Sequence, residues 1–356
     1  MTQADFDELQ RLQALSAKLG ADPLRTQGAG GNTSLKQDDV LWIKASGTWL
    51  AHALERNIMV PVHLPPLRMA LAMNDPRSET AVAFVDDARN PDRLRPSIET
   101  SVHALIPHAV VAHFHCVETI ALAVRKDCEA IVASRLAPLQ DVAWTYIPYR
   151  RPGLPLAKAI AERARPQTNV LILGNHGLVV AGATVAETED RIERVCAALR
   201  TAPRPVPQAD LAALERLVAG TDYRLPHDPR LHGLALDPVT RAVVQGGSLY
   251  PDHVIFLGPG VVEAPDIATG AAMRQPGWRD EPPLLLSLPG QGVVPHRTAK
   301  PSAEMMALCL LDVAQRLAPD AELVRLSPSD EYALTHWEAE KYRQALDTTR
   351  TTDRQP

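Results

Sequence analysis

No uninterrupted apolar run approaches the ~18 residues that a membrane-spanning helix requires, so nothing in this 356-residue chain predicts a span. Basic residues are not in excess either. Lys and Arg number 37 against 42 Asp and Glu, for a formal net charge of −5, with both signs spread along the chain. That leaves no basic footprint for nucleic acid and no polybasic anchor for a membrane. The expected partner is a small molecule or another protein. Cys116, Cys128, Cys196 and Cys309 show no C-x-x-C spacing, which argues against a zinc knuckle or a disulfide framework and reads as free thiols in a reducing cytosol. The N-terminal "MTQADFDELQRLQALSAKLG" carries acidic residues and is unlike a signal peptide, so the expected location is cytoplasmic. No repeat of fixed period appears. Walker and dinucleotide loops are also absent: Gly28-Ala29-Gly30-Gly31-Asn32-Thr33 leads into a predicted strand, and no Gly-Lys-Ser/Thr follows.

The length favours two domains over one. The N-terminal segment reads as an amphipathic helix with Phe6, Leu9, Leu12, Leu15 and Leu19 on one side. A hairpin follows, with strands near 33–36 and 40–45 and glycine-rich loops at both ends. "NDPRSETAVAFVDDARNPDRLRP" reads as a surface excursion leading into a helix from near Ser97, and "VVAHFH" as the next strand. A second passage supplies the helix "LPLAKAIAERAR", two strands in "TNVLILGNHGLVVAG" and the helix "TVAETEDRIERVCAALR", opened by a capping-box pair, Thr184 and Glu187. "TAPRPVPQ", with three prolines in eight positions, is the expected linker. Beyond it come the helix "DLAALERLVAG", a strand in "DHVIFLGPGVV", the long helix "SAEMMALCLLDVAQRLA" and the helix "SPSDEYALTHWEAEKYRQAL". The expected domains are 1–203 and 209–346, with a disordered tail over 347–356. The mixture without strict alternation predicts α/β or α+β architecture.

His113 and His115 stand two apart in a strand-like run, so their side chains should leave on one face. That is metal-ligand geometry or a coincidence of composition. Catalytic zinc sites take three protein ligands, imidazole among the favoured ones, and leave a position open. His176, between Asn175 and Gly177 at a break between two apolar strands, is a candidate third ligand or an ordinary turn residue. Glu99 either stabilises a helix N-terminus or moves a proton beside the metal. The loops "GAGGNTS" and "ASGTW" offer backbone N–H groups for an anion.

Four blocks in order, "GAGGNTSLK", "WIKASGTWL", "RPSIET…VVAHFH" and "ILGNHGLVVAGATVAET", make the chain resemble the class II aldolase/adducin family over about residues 5–200. The resemblance implies a three-layer α/β/α fold around a mainly antiparallel sheet, with a smaller α/β extension after it. It implies His113, His115 and His176 as ligands of Zn2+ or another divalent ion and Glu99 as the acid/base. Gly31, Asn32, Ser46, Gly47 and Ser97 would line the pocket for the substrate's phosphate. Ile98 stands where the family's sugar-phosphate aldolases often carry a second serine, and Glu99 where its 4-epimerases place an aspartate. The second half is similar to the aldolase portion of bifunctional proteins that join an aldolase to a short-chain dehydrogenase, whose dinucleotide loop is not found after residue 200. Tyr250, Asp252 and His253 are candidates for pocket closure or for a plain strand-entry turn.

The activity so implied is reversible retro-aldol cleavage, through a metal-stabilised enediolate, of a small ketose, phosphorylated as in the family's sugar-phosphate enzymes, or of a related hydroxy-acid. A homo-oligomer, a tetramer as is typical of the family, is implied with it. The alternatives are a decarboxylase or epimerase of a sugar-acid phosphate in the same family and a non-catalytic, adducin-like assembly protein. A zinc hydrolase is disfavoured, because the extra histidine, lysine and aspartate pattern of such barrels is not found.

Overall fold

The computed structural model describes residues 3–275, 278 and 280–337. Of these, one compact unit takes the residues up to Ala123 together with Cys128–Arg200, and a second takes Val124–Asp127 and those from Thr201 onward. No helix among the described residues is long and apolar enough to cross a membrane.

The first unit runs α1 (Gln3–Ala21), β1 (Asn32–Gln37), β2 (Val40–Lys44), β3 (Met59–His63), α2 (Leu64–Ala72), α3 (Thr100–Leu105), β4 (Val110–Phe114), α4 (Val117–Ala123), α5 (Cys128–Leu136), β5 (Trp144–Ile147), α6 (Leu154–Arg163), β6 (Val170–Leu173), β7 (Gly177–Gly182) and α7 (Val185–Leu199). Its seven strands form one sheet in the order β3-β2-β1-β4-β7-β6-β5. Every pairing is antiparallel except that of β5 with β6. The strand that carries His113 and leads into His115 is therefore central, and all of its side chains are buried.

Alternation along the strands sorts the core into layers. Val110, Ala112 and Phe114 of β4 pack with Leu12, Leu15 and Leu19 of α1 and Ile192, Val195 and Leu199 of α7. Val111, from the opposite face of β4, packs with Val102 of α3 and Leu156 and Ile160 of α6. On that same side Ile43, Val60 and Val62 meet Leu64 and Leu67 of α2. The unit is a three-layer α/β/α sandwich. Phe6 stands 44% exposed, so the buried stripe of α1 begins beyond it.

Several local details depart from the expectations. The 75–95 segment is more than a surface excursion: it makes short 3-10 turns that bury Ser78, Ala81 and Phe84. The helix expected from Ser97 starts at Thr100, because Ser97 is spent on the preceding turn, its Oγ accepting from Glu99 N at 3.2 Å and its carbonyl from Thr100 Oγ1 at 2.6 Å. At α7 Thr184 Oγ1 accepts from Glu187 N as predicted, but the Glu187 carboxylate takes the N–H of Ala183 instead of that of the cap residue.

The second unit holds α8 (Leu211–Val218), α9 (Gly233–Leu236), α10 (Pro238–Gln245), α11 (Pro251–Leu257), β8 (Val262–Glu263), α12 (Ile267–Ala272), β9 (Leu285–Leu288), β10 (Gly292–Pro295), α13 (Pro301–Ala314) and α14 (Pro328–Thr335). Its sheet has three strands, in the order β10-β9-β8. The expected linker is anchored within this unit: the Arg204 guanidinium reaches Asp237 Oδ2 at 3.0 Å and Thr240 Oγ1 at 3.1 Å.

"DHVIFLGPGVV" is not a strand. Its first part is α11, and only Val262–Glu263 pairs into a sheet. The apolar run "VIFL" suits either element, so its flanks decide. Pro251 sets φ for a first helical turn, while Gly258, at φ +83°, turns the chain out of the helix. Asp252 and His253 thus lie in a buried helix with Tyr250 as its N-cap, which overturns the strand-entry reading. Residues beyond Trp337 lie outside the described residues, and with them the end of the expected C-terminal helix and the expected disordered tail.

Candidate metal centre

The register of the central sheet builds the site. Asn32 of β1 and Val179 of β7 lie directly opposite His113 of β4, so the Asn32 side chain stands beside that imidazole on one face. His115 follows two residues on, just past the strand end. His176 comes from the β6–β7 connection, where its N–H bonds to the Leu173 carbonyl at 3.1 Å and Asn175 takes the left-handed conformation at φ +54°. Asparagine tolerates that conformation better than most residues. Two glycines let backbones close around the rings. A Cβ on Gly177 would lie 2.7 Å from the Phe114 carbonyl oxygen and 3.4 Å from His113 Cε1. One on Gly31, at φ +64°, would lie 2.8 Å from the His113 carbonyl oxygen.

The three imidazoles converge. Their ring centroids are 5.1, 4.8 and 5.2 Å apart pairwise, all three are buried, and each offers a ring nitrogen within 4.8 Å of the others. Glu99 closes the group, with Oε2 3.3 Å from His113 Nε2 and Oε1 3.8 Å from His176 Nε2. The donor set fits a divalent ion. His113 Nδ1 lies 3.1 Å from the Leu178 carbonyl oxygen, which can only accept, so Nδ1 carries the proton and Nε2 turns its lone pair towards the cluster. A lone pair and a carboxylate so close repel unless a cation or a shared proton stands with them. Burial raises the Glu99 carboxyl, but His113 and His176 when charged, the Asn32 amide and His115 when charged outweigh it and hold it at about 2, so where the rings serve as neutral ligands the cation they bind must take over that part.

The other predicted residues fall around this core. Asn32 Nδ2 donates to Glu99 Oε2 at 2.8 Å. Ser46 and Ser97 are drawn together by a short ladder in which Ser46 N bonds to the Arg95 carbonyl at 2.9 Å and Ser97 N to the Lys44 carbonyl at 3.0 Å. Gly47 turns the loop at φ +71°. Tyr250, Asp252 and His253 belong to the second unit, where His253 Nε2 lies 3.1 Å from the Gly260 carbonyl oxygen.

Sequence reasoning missed two residues. Lys44, only 2% exposed, donates to the carbonyls of Ala29 and Gly31 at 3.0 and 2.9 Å and pins the glycine loop from beneath. His103, fully buried, bonds to both Asn32 and Ser34. Its spacing of four from Glu99 at a helix start was the available signal, since residues one turn apart share a face.

The sequence model of the family described as Class II Aldolase and Adducin N-terminal domain matches residues 10–202. The chain belongs to this class II aldolase and adducin family. Among individual proteins it is similar to the uncharacterized oxidoreductase YuxG of Bacillus subtilis (strain 168), with 28% identity over 243 residues, or 64% of this chain. The match spans 33% of that relative's length, in keeping with a likeness to longer, two-part proteins. Among solved structures, the N-terminal class II aldolase domain of a conserved protein from Thermoplasma acidophilum aligns at 24% identity and a TM-score of 0.47, over 56% of this chain and 93% of that one. The L-fuculose-1-phosphate aldolase from Thermus thermophilus aligns at 16% identity and a TM-score of 0.38, over 62% and 100%. As a class II aldolase and adducin family member, the chain carries a three-histidine cluster able to hold a metal ion, with a carboxylate against it.

Proposed function

We propose that the chain is a zinc-dependent lyase that cleaves a small ketose, phosphorylated like the substrates of sugar-phosphate aldolases, or a related hydroxy-acid, by a reversible retro-aldol reaction. One observation carries this reading: His113, His115 and His176 gather around one point, and the Glu99 carboxylate faces two of them at 3.3 and 3.8 Å. A divalent ion held by His113, His115 and His176 would supply Lewis-acid chemistry to the substrate's oxygens. The rest falls to the chain. Glu99, ionised and buried, takes the proton that must leave the substrate hydroxyl for the carbon–carbon bond to break, and delivers one to the carbon left behind. Gly31, Ser46, Gly47 and Ser97 hold the substrate's anionic end through loop N–H groups and hydroxyls, with Asn32 beside them at the start of β1. The buried walls exclude water from the proton's path.

The same proposal includes a homo-oligomer, a tetramer by analogy with the family, acting in the cytoplasm on a small molecule, with neither nucleic acid nor membrane as partner. The test is to incubate the zinc-loaded protein with a panel of ketose phosphates and sugar acids while measuring aldehyde release. Aldehyde from at least one ketose, lost on Glu99→Gln with zinc still bound, supports the reading. Carbon dioxide without aldehyde would replace it with a decarboxylase. A protein that binds no metal and turns over nothing would return it to an assembly role.

A further inference from the structure

Four buried side chains form a single line of hydrogen bonds that ends on Glu99. Ser34 Oγ lies 2.7 Å from His103 Nδ1, His103 Nε2 meets Asn32 Oδ1, and Asn32 Nδ2 reaches Glu99 Oε2 at 2.8 Å. The line crosses from strand to helix twice. Asn32 and Ser34 alternate with Thr33 on β1 and share a face, while Glu99 caps α3 and His103 lies one turn along it.

Each donor follows from the last acceptor. Asn32 gives Glu99 its amide nitrogen, Nδ2, and so turns its Oδ1 to His103. That carbonyl oxygen only accepts, so the ring proton of His103 sits on Nε2. A neutral ring then has a bare Nδ1, which the Ser34 hydroxyl fills as donor. Burial, joined by the nearby Lys36 charge, holds His103 well below its ordinary pKa and keeps the ring neutral. Ser34 and His103 are both completely buried, so reversing any one bond would leave a mismatch that solvent cannot repair.

We propose that His103, backed by Ser34, is a positioning residue that locks the Asn32 amide towards Glu99, committing the Asn32 side chain to the acid/base instead of to the substrate's phosphate. The inference rests on the reading of Glu99 as the group that moves the proton.

Two measurements test it. In the full chain labelled with 15N-histidine, with His103→Gln used for assignment, NMR should show His103 neutral and protonated on Nε2, with or without zinc. A proton on Nδ1 overturns the proposal. Exchange of solvent deuterium into dihydroxyacetone phosphate reads the proton transfer itself. His103→Leu should slow its turnover by about 10- to 100-fold, with KM within about threefold and bound zinc unchanged. His103→Gln, which keeps an N–H donor, should recover most of the rate. Should His103→Leu fail to fold, Ser34→Ala, which deletes only the hydroxyl, should give a smaller fall in turnover, again without a change in KM. A change in KM alone, no change at all, or equal losses in the Leu and Gln variants overturns the proposal. If the wild-type zinc protein gives no exchange and no aldehyde, the aldolase reading fails, and the tautomer still decides whether the chain of donors exists.

Discussion

The two faces of β4 do different work. Val110, Ala112 and Phe114 enter the layer beneath α1 and α7, and Cys116, next in that alternation, lies in the same apolar cluster. On the other face Val111 supports α3 and α6, and His113 and then His115 turn to Glu99 and His176. A spacing of one residue separates a fully apolar environment from four converging polar groups. Because alternation, and not distance along the chain, divides them, chemistry can sit in the middle of the sheet without weakening the packing that holds it. The contrast predicts that substitutions on the two faces fail in different ways.

The sharpest break is expected on the polar face. Glu99→Gln should lower turnover by about 10²- to 10⁴-fold, while bound zinc and the melting temperature stay near wild type. Fast turnover in that variant would show that the carboxylate is not the acid/base. On the apolar face, Phe114→Ala should cost about 3–5 kcal/mol in urea unfolding, with metal still bound below the transition. If Phe114→Ala loses metal while stability holds, the division between the faces is wrong.

A histidine remote from the cluster in the chain sharpens the contrast. His253 is buried in the second unit, and burial pushes its pKa down to about 4 from an ordinary 6.5. Between those values the unfolded chain binds a proton that the folded chain refuses, so stability is lost as pH falls from about 6.5 to about 4, by about 3 kcal/mol at most. His103, also depressed, adds loss in the same window, so the comparison is with His253→Gln. That variant should show a shallower fall between pH 7 and 4.5 in urea titrations; an identical slope would remove His253 from the account. The smallest expected effect is at the helix that covers the apolar face. Thr184→Ala should cost about 1 kcal/mol through loss of the cap bond to Glu187 N, again by urea unfolding, with zinc content unchanged.

Much of the site could be read from short-range rules. The alternation of "VVAHFH" placed Phe114 and Cys116 on one face and the histidines on the other, and the glycines of "GNHG" marked a turn at a strand break. What spacing alone could not supply was closure: bringing His176 to His113 takes the antiparallel pairing of β4 with β7, a contact between residues far apart in sequence. His103 was missed because its spacing of four from Glu99, the one signal at this helix start, shows a shared face and not a hydrogen-bonded partner such as Asn32 on β1. Lys44 reads as a solvated charge at a strand end, and only the folded loop shows its ammonium enclosed by carbonyls. In the second unit the error at α11 arose from an apolar run that fits helix and strand equally, and β8, two residues long, has no pattern to detect. The strands β1, β2, β4, β6 and β7 were legible from their patterns, but β3, β5, β9 and β10, of similar length, were not.

The central claim is that His113, His115 and His176 hold one metal ion. Metal analysis of the purified protein after zinc loading and exhaustive dialysis tests it directly, in the wild type and in the three single alanine variants. About one ion per chain in the wild type and almost none in each variant is the expected result. Full zinc retention in His113→Ala or His176→Ala, or no bound metal in the wild type, would contradict it.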